Sequence, residues 1–210
     1  MPPFTVLHVC MGNICRSPMA ERLLVLALEQ RLDRLGPAVA PPAEELLHSH
    51  SAGTGGWHAG EEMNPPAARQ VLARGGQVDG FAARKLRSDQ IDAADLVLTA
   101  TADQLEYVLA LRPDAAERTF VLGEFGRLLP AVDPAGLPGV RSGPDAAVTP
   151  EAVHARGAAL VAAVAAVRAG AGPQPGDDLD DPWGRGDHTF ARVADEIEET
   201  VGALGVALLP

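Results

Sequence analysis

Residues 4–24 read FTVLHVCMGNICRSPMAERLL. The first seven are apolar and partly β-branched over the length of one strand. MGNICR (11–16) then breaks the pattern with a glycine and an asparagine. Pro18 suits a first helical turn, and Ser17 is expected as its N-cap, before the amphipathic run MAERLLVLALEQRL. Strand, short loop and helix N-terminus in that order form a βα turn. In a parallel sheet such a turn opens onto the crevice at the carboxyl ends of the strands.

The rest of the chain repeats the alternation. HSHSAGT (48–54) predicts a second strand, ADLVLTA (94–100) a third and RTFVLG (118–123) a fourth. Between them lie PPAARQVLARGG, with Asn64 as its expected cap, and TADQLEYVLALRP, a helix ended by Pro113. A short helix is expected at EFGRLL. GPAVAPPAEE (36–45) is expected as a connector. The pattern predicts an α/β fold: a four-stranded parallel sheet with helices on both faces, Rossmann-like.

Beyond Leu129 the composition shifts. PAVDPAGLPGVRSGPDAAVTP (130–150) is rich in Pro and Gly and predicts a surface excursion. Thr149, Pro150 and Glu151 open an alanine-rich helix that stops at Gly170. GAGPQPGDDLDD is a second flexible piece, and DPWGRGDH follows it. Phe190, Val193, Ile197, Val201 and Leu204 then recur at helical spacing. The expected organisation is one domain, 1–210, with a helical insertion at about 130–176 that extends or covers the cleft.

Hydrophobic residues make up 47 % of the chain, enough for a real core. The net charge of −11 disfavours nucleic acid and anionic membrane surfaces as partners. No apolar run reaches the length of a membrane span, and no signal-peptide pattern opens the sequence. Two cysteines cannot build a disulfide scaffold, and a cytoplasmic location is expected. Both cysteines, Cys10 and Cys15, fall in the one loop.

That loop has the form C-x5-R-S, which suits phosphate chemistry on a thiolate. Backbone N–H groups of Met11, Gly12, Asn13, Ile14, Cys15 and Arg16 are expected to curl around an oxyanion, aided by the helix dipole. Gly12 and Asn13 are expected to supply the positive φ angles of such a nest. Arg16 offers a planar fork that binds phosphate in bidentate fashion. Ser17 can donate a hydrogen bond to a thiolate at Cys10. A thiol titrates near 8.5, and reactive ones fall to roughly 3.5–7.5. A helix dipole alone supplies at most about 2 kcal/mol, so the other groups must contribute. C-x4-C provides only two metal ligands, no GxxxxGK[ST] occurs, and GTGGWHAG (53–60) is expected to be a simple turn.

With these residues in place, the chain resembles the low-molecular-weight protein-tyrosine phosphatases. VCMGNICRSPMAE is similar to that family's phosphate loop almost letter for letter, SAGTGGWHAG to the turn after its second strand, and DPWG to its DP loop. The resemblance implies Cys10 as nucleophile, Arg16 as phosphate clamp and Asp181 as general acid. It also implies that Asn13 and Ser17 order the loop, that Ser51 braces Asn13, and that no metal or cofactor is needed. The implied substrate is a phosphorylated protein or a small aryl phosphate. Two positions depart from the family pattern. Trp183 and Gly184 follow Pro182 where two tyrosines are usual, leaving Trp183 as an aromatic wall. Phe81 replaces a histidine that braces the loop. A thiol-dependent arsenate reductase and a non-catalytic phosphoresidue-binding module are the alternative readings. Cys15 is either a packing residue or a thiol that guards Cys10 against oxidation.

Overall fold

A computed structural model describes residues 2–36, 40–141 and 147–210. The elements run β1 (Phe4–Cys10), α1 (Arg16–Leu35), α2 (Ala43–Leu46), β2 (Leu47–Gly53), α3 (Pro65–Ala73), α4 (Ser88–Ala93), β3 (Leu96–Thr99), α5 (Ala102–Leu111), β4 (Thr119–Val121), α6 (Leu122–Leu128), α7 (Pro150–Arg168) and α8 (Asp187–Leu208). The four strands are parallel, as expected, and lie in the order β2-β1-β3-β4. Cys10 ends β1 opposite Gly53, so the loop begins where the strand order reverses around β1.

Strand alternation divides the core. Phe4 and Val6 join Leu23, Leu24 and Leu28 of α1, Val164 of α7 and Ile197 and Val201 of α8 on one face. Leu7 and Val9 join Ile91 of α4 and Val108 of α5 on the other. Both faces of β1 are therefore buried, which explains its unbroken apolar character. Along α8, Phe190, Val193, Ile197, Val201 and Leu204 all face inward, as their spacing predicts.

Several local expectations are corrected. Helix α1 starts two residues earlier than expected, with Cys15 rather than Ser17 at the cap position, and Ser17 lies inside the first turn. Gly12 has no positive φ; Asn13 alone among the loop residues does, at 55°. Asn64 occupies the cap position of α3 but its side chain makes no capping bond. Helices α2 and α4 were not legible, being too short for a helical period to show. Residues 37–39 of the expected connector and 142–146 of the expected excursion lie outside the described residues.

Thr149 caps α7, its hydroxyl accepting from Ala152 N at 3.2 Å. The helix does not extend the cleft. Its His154 meets the Phe4 ring edge-on at the opening end of β1, away from Cys10. Arg168 donates to Thr119 O and stacks over Phe120, and Arg156 donates to Ala207 O. This helix thus covers the sheet face beside α8, as a core element.

Candidate active site

The loop after β1 is held from outside through its carbonyls. Cys10 O and Met11 O accept from Thr54 N and Gly55 N, both at 2.9 Å, and Ile14 O accepts from Asn64 N at 2.8 Å. Gly53 makes this approach possible, since a Cβ there would stand 2.6 Å from Met11 O. With carbonyls committed outward, loop amides remain for the interior, and Asn13 N–H lies 3.3 Å from Cys10 Sγ.

Asn13 organises the side chains. Its Oδ1 accepts from Arg84 N at 2.8 Å, and a backbone N–H can only donate, so the amide orientation is fixed. Its Nδ2 then donates to Ser17 Oγ at 3.0 Å and to Ser51 Oγ at 2.8 Å. Ser51 Oγ in turn donates to Glu21 Oε2 at 2.6 Å. Ser17, already accepting from Asn13, has its hydroxyl proton free for Cys10 Sγ at 3.0 Å. The network is buried and directional, and it brings the Ser17 hydroxyl and the Asn13 N–H to the sulfur. Burial holds the Glu21 carboxyl above its usual range, against the opposing Ser51 bond. Phe81, without a polar group to contribute, lies buried with the Arg22 guanidinium over its ring.

Arg16 is 5 % exposed. Its Nη1 donates to Leu179 O at 3.2 Å, and its Nη2 lies 3.1 Å from Asp181 Oδ2. Its Nε is buried without a partner among the described residues. Arg16 also lines the cavity, so its guanidinium is placed to pair with an anion there. Asp181 comes from the segment before α8, and its Oδ1 accepts from Trp183 N. The neighbouring Asp180 is turned away onto Arg192.

Cys10, Met11, Gly12, Ile14, Cys15, Arg16 and Asp181 line one cavity of about 180 Å³ together with Trp57, His58 and Trp183. Trp57, Trp183 and Met11 are exposed at its rim. Asn13, Ser17 and Ser51 stand behind the loop. Trp57 and His58 were missed as site residues because GTGGWHAG reads only as a turn. Glu21 and Arg84 were missed as supports, since nothing in the sequence pairs them with Asn13. Cys15 is 4 % exposed and packs into the core; burial, and then repulsion from Cys10, push its thiol up to about 12.

Similarity to known proteins agrees with this geometry. Residues 5–131 match the family model of the low molecular weight phosphotyrosine protein phosphatases, a segment that holds the loop and Ser51 and ends before Asp181. A low molecular weight protein-tyrosine-phosphatase of Streptomyces coelicolor is 37 % identical over 142 residues, covering 68 % of this chain and 77 % of that protein. Low molecular weight protein-tyrosine phosphatase A of Mycobacterium tuberculosis is 37 % identical over 114 residues, 54 % of this chain and 63 % of that one. Among solved structures, a protein tyrosine phosphatase from Entamoeba histolytica superposes with a TM-score of 0.64 at 20 % identity, over 97 % of this chain and 95 % of that one. The chain therefore belongs to the low molecular weight phosphotyrosine protein phosphatase family.

Proposed function

We propose that the chain hydrolyses phosphotyrosine or related aryl phosphate monoesters through a phosphocysteine intermediate on Cys10. The observation that carries this reading is the convergence of Cys10, Arg16 and Asp181 on one cavity. The Cys10 thiolate attacks phosphorus in line, forming an S–P bond as the P–O bond to the leaving group breaks. Loop amides and the Arg16 fork hold the equatorial oxygens as charge spreads over them. Asp181, protonated, gives its proton to the leaving oxygen. Its carboxylate then takes a proton from the water that attacks phosphorus, releasing phosphate and regenerating the thiolate. General acid–base catalysis of this kind contributes roughly 10²–10⁴ in rate.

Trp57 and Trp183 at the rim support an aryl substrate, because a flat ring stacks between indoles. A cytoplasmic setting is part of the proposal, supported by two free cysteines, one of them placed for catalysis. The test is hydrolysis of para-nitrophenyl phosphate by the intact protein, with and without Cys10→Ser. Turnover that resists a chelator and vanishes in Cys10→Ser, with vanadate still bound, is the expected result. Activity persisting in Cys10→Ser overturns the reading, and thiol-coupled arsenate turnover in its place identifies the reductase.

A further inference from the structure

Asp181 reaches the cavity only after the chain has left α6, crossed the sheet as α7 and returned. Its side chain has a direct rival one residue away in Asp180. Something must set the register of the returning segment, and it is fastened at Gln174, Asp177, Asp178 and Leu179. Asp177, 5 % exposed, accepts from Arg127 of α6 through both oxygens, Nε at 3.0 Å and Nη2 at 2.8 Å. Its Oδ2 also accepts from Gln174 N at 2.6 Å. The backbone beside it lies so close to α6 that a Cβ on Gly123 would stand 2.4 Å from Asp177 O. Asp178 Oδ1 accepts from Ala102 N at 2.8 Å, capping α5, whose own cap residue Thr101 makes no side-chain capping bond. Leu179 N donates to Ala100 O at 2.9 Å, and Leu179 O receives Arg16.

We propose that Asp177, clamped by Arg127, and Asp178, seated on the N-terminus of α5, are positioning residues that fix the register in which Asp181 rather than Asp180 meets Arg16. The inference rests on Asp181 being the general acid. A bidentate pair with one nearly buried partner is geometrically stiff. Asp177 to Leu179 are thereby tied to α6, to α5 and to the end of β3. Asp181, two residues further on, has little freedom left. Misplacing a reacting group by about 1 Å can cost on the order of 10²-fold in rate.

The experiment compares Asp177→Asn, Arg127→Met, Arg127→Lys and Asp181→Ala on aryl phosphates graded by leaving-group basicity. The readout is kcat/KM, which reports transfer to Cys10. Asp181→Ala should lose most on phenyl phosphate and least on dinitrophenyl phosphate. Asp177→Asn and Arg127→Met should show the same tilt, losing about tenfold on the poor leaving group and under about twofold on the good one. Arg127→Lys should recover part of the loss, and Asp177→Asn should add little in an Asp181→Ala background. Arg127 is partly exposed, so Arg127→Met serves if Asp177→Asn fails to fold. A loss uniform across leaving groups, or additive with Asp181→Ala, overturns the inference alone. An untilted Asp181→Ala overturns the acid assignment, and the inference with it.

Discussion

One carboxylate oxygen of Asp181 lies 3.1 Å from Nη2 of Arg16. The proposed acid thus rests on the cation that would hold the substrate's phosphate. An arriving phosphate competes with this carboxylate for the same guanidinium. Asp181→Asn should therefore bind vanadate or phosphate more tightly, by roughly 3- to 10-fold, as the competing charge is removed. Inhibition constants measured on both proteins check this, and weaker binding in Asp181→Asn would show that the pair does not compete.

Arg16→Lys should be nearly as damaging as Arg16→Ala. The guanidinium serves Leu179 O and Asp181 and lines the cavity. An ammonium keeps the charge and loses the fork. Both variants should fall at least about 10²-fold in kcat/KM; a lysine variant with most of the wild-type rate refutes the clamp.

Asn13 combines a backbone and a side-chain role, and two substitutions separate them. Asn13→Ala loses three hydrogen bonds and places a Cβ at φ 55° without the asparagine's local compensation, a strain of about 1 kcal/mol. Asn13→Gly removes the bonds alone. Both should lower kcat/KM by about 10- to 100-fold, while Asn13→Ala is also the less stable on thermal unfolding. Near-normal activity in Asn13→Gly would mean the serine network is not needed at the sulfur.

Stability should fall in acid through two buried histidines on β1 and β2. Burial, then His50, lowers His8 to about 3; burial, then His48 and Arg84, lowers His50 to about 4. In the unfolded chain both titrate near 6.5, so between about pH 6.5 and 4 the unfolded state binds more protons. The stability they allow is present above pH 6.5 and declines as pH drops through that window. Each contributes a slope of up to about 1.4 kcal/mol per pH unit. Urea titrations of wild type and His8→Gln between pH 7 and 4.5 should differ in slope by about that amount; parallel curves exclude His8.

Cys15 has a large desolvation cost against ionising, to which the Cys10 charge adds. Oxidation of Cys10 by peroxide to a neutral sulfenic acid removes that second cause. Cys15 then becomes the better nucleophile just when its attack would form a disulfide and release water. Peroxide-treated wild type should regain activity in dithiothreitol, with a Cys10–Cys15 disulfide seen by mass spectrometry. Cys15→Ser should start active and be lost irreversibly. Equal recovery in both leaves Cys15 as packing alone.

The stretch 4–24 carried the fold because its information is local. A short apolar run sets the strand, C-x5-R-S sets the loop, and leucine spacing sets α1, all within a few residues of one another. The same holds for α8, whose apolar stripe is readable without a partner. What the sequence left undetermined depends on residues far apart in the chain. Ser17 resembles an N-cap, yet the loop draws it inward to Cys10, where a stronger set of partners waits. Glu21, Ser51 and Arg84 become one support only because β2 lies beside β1 and the 81–84 segment crosses behind the loop. Trp57 and His58 join the cavity because Gly53 lets their turn close on Met11. The DPWG resemblance points to Asp181, but the placement of its carboxylate on Arg16, with Asp180 kept away, is written in no local pattern. It is made by Arg127, Ala102 and Ala100, which hold the returning chain in one register while Arg192 draws Asp180 aside.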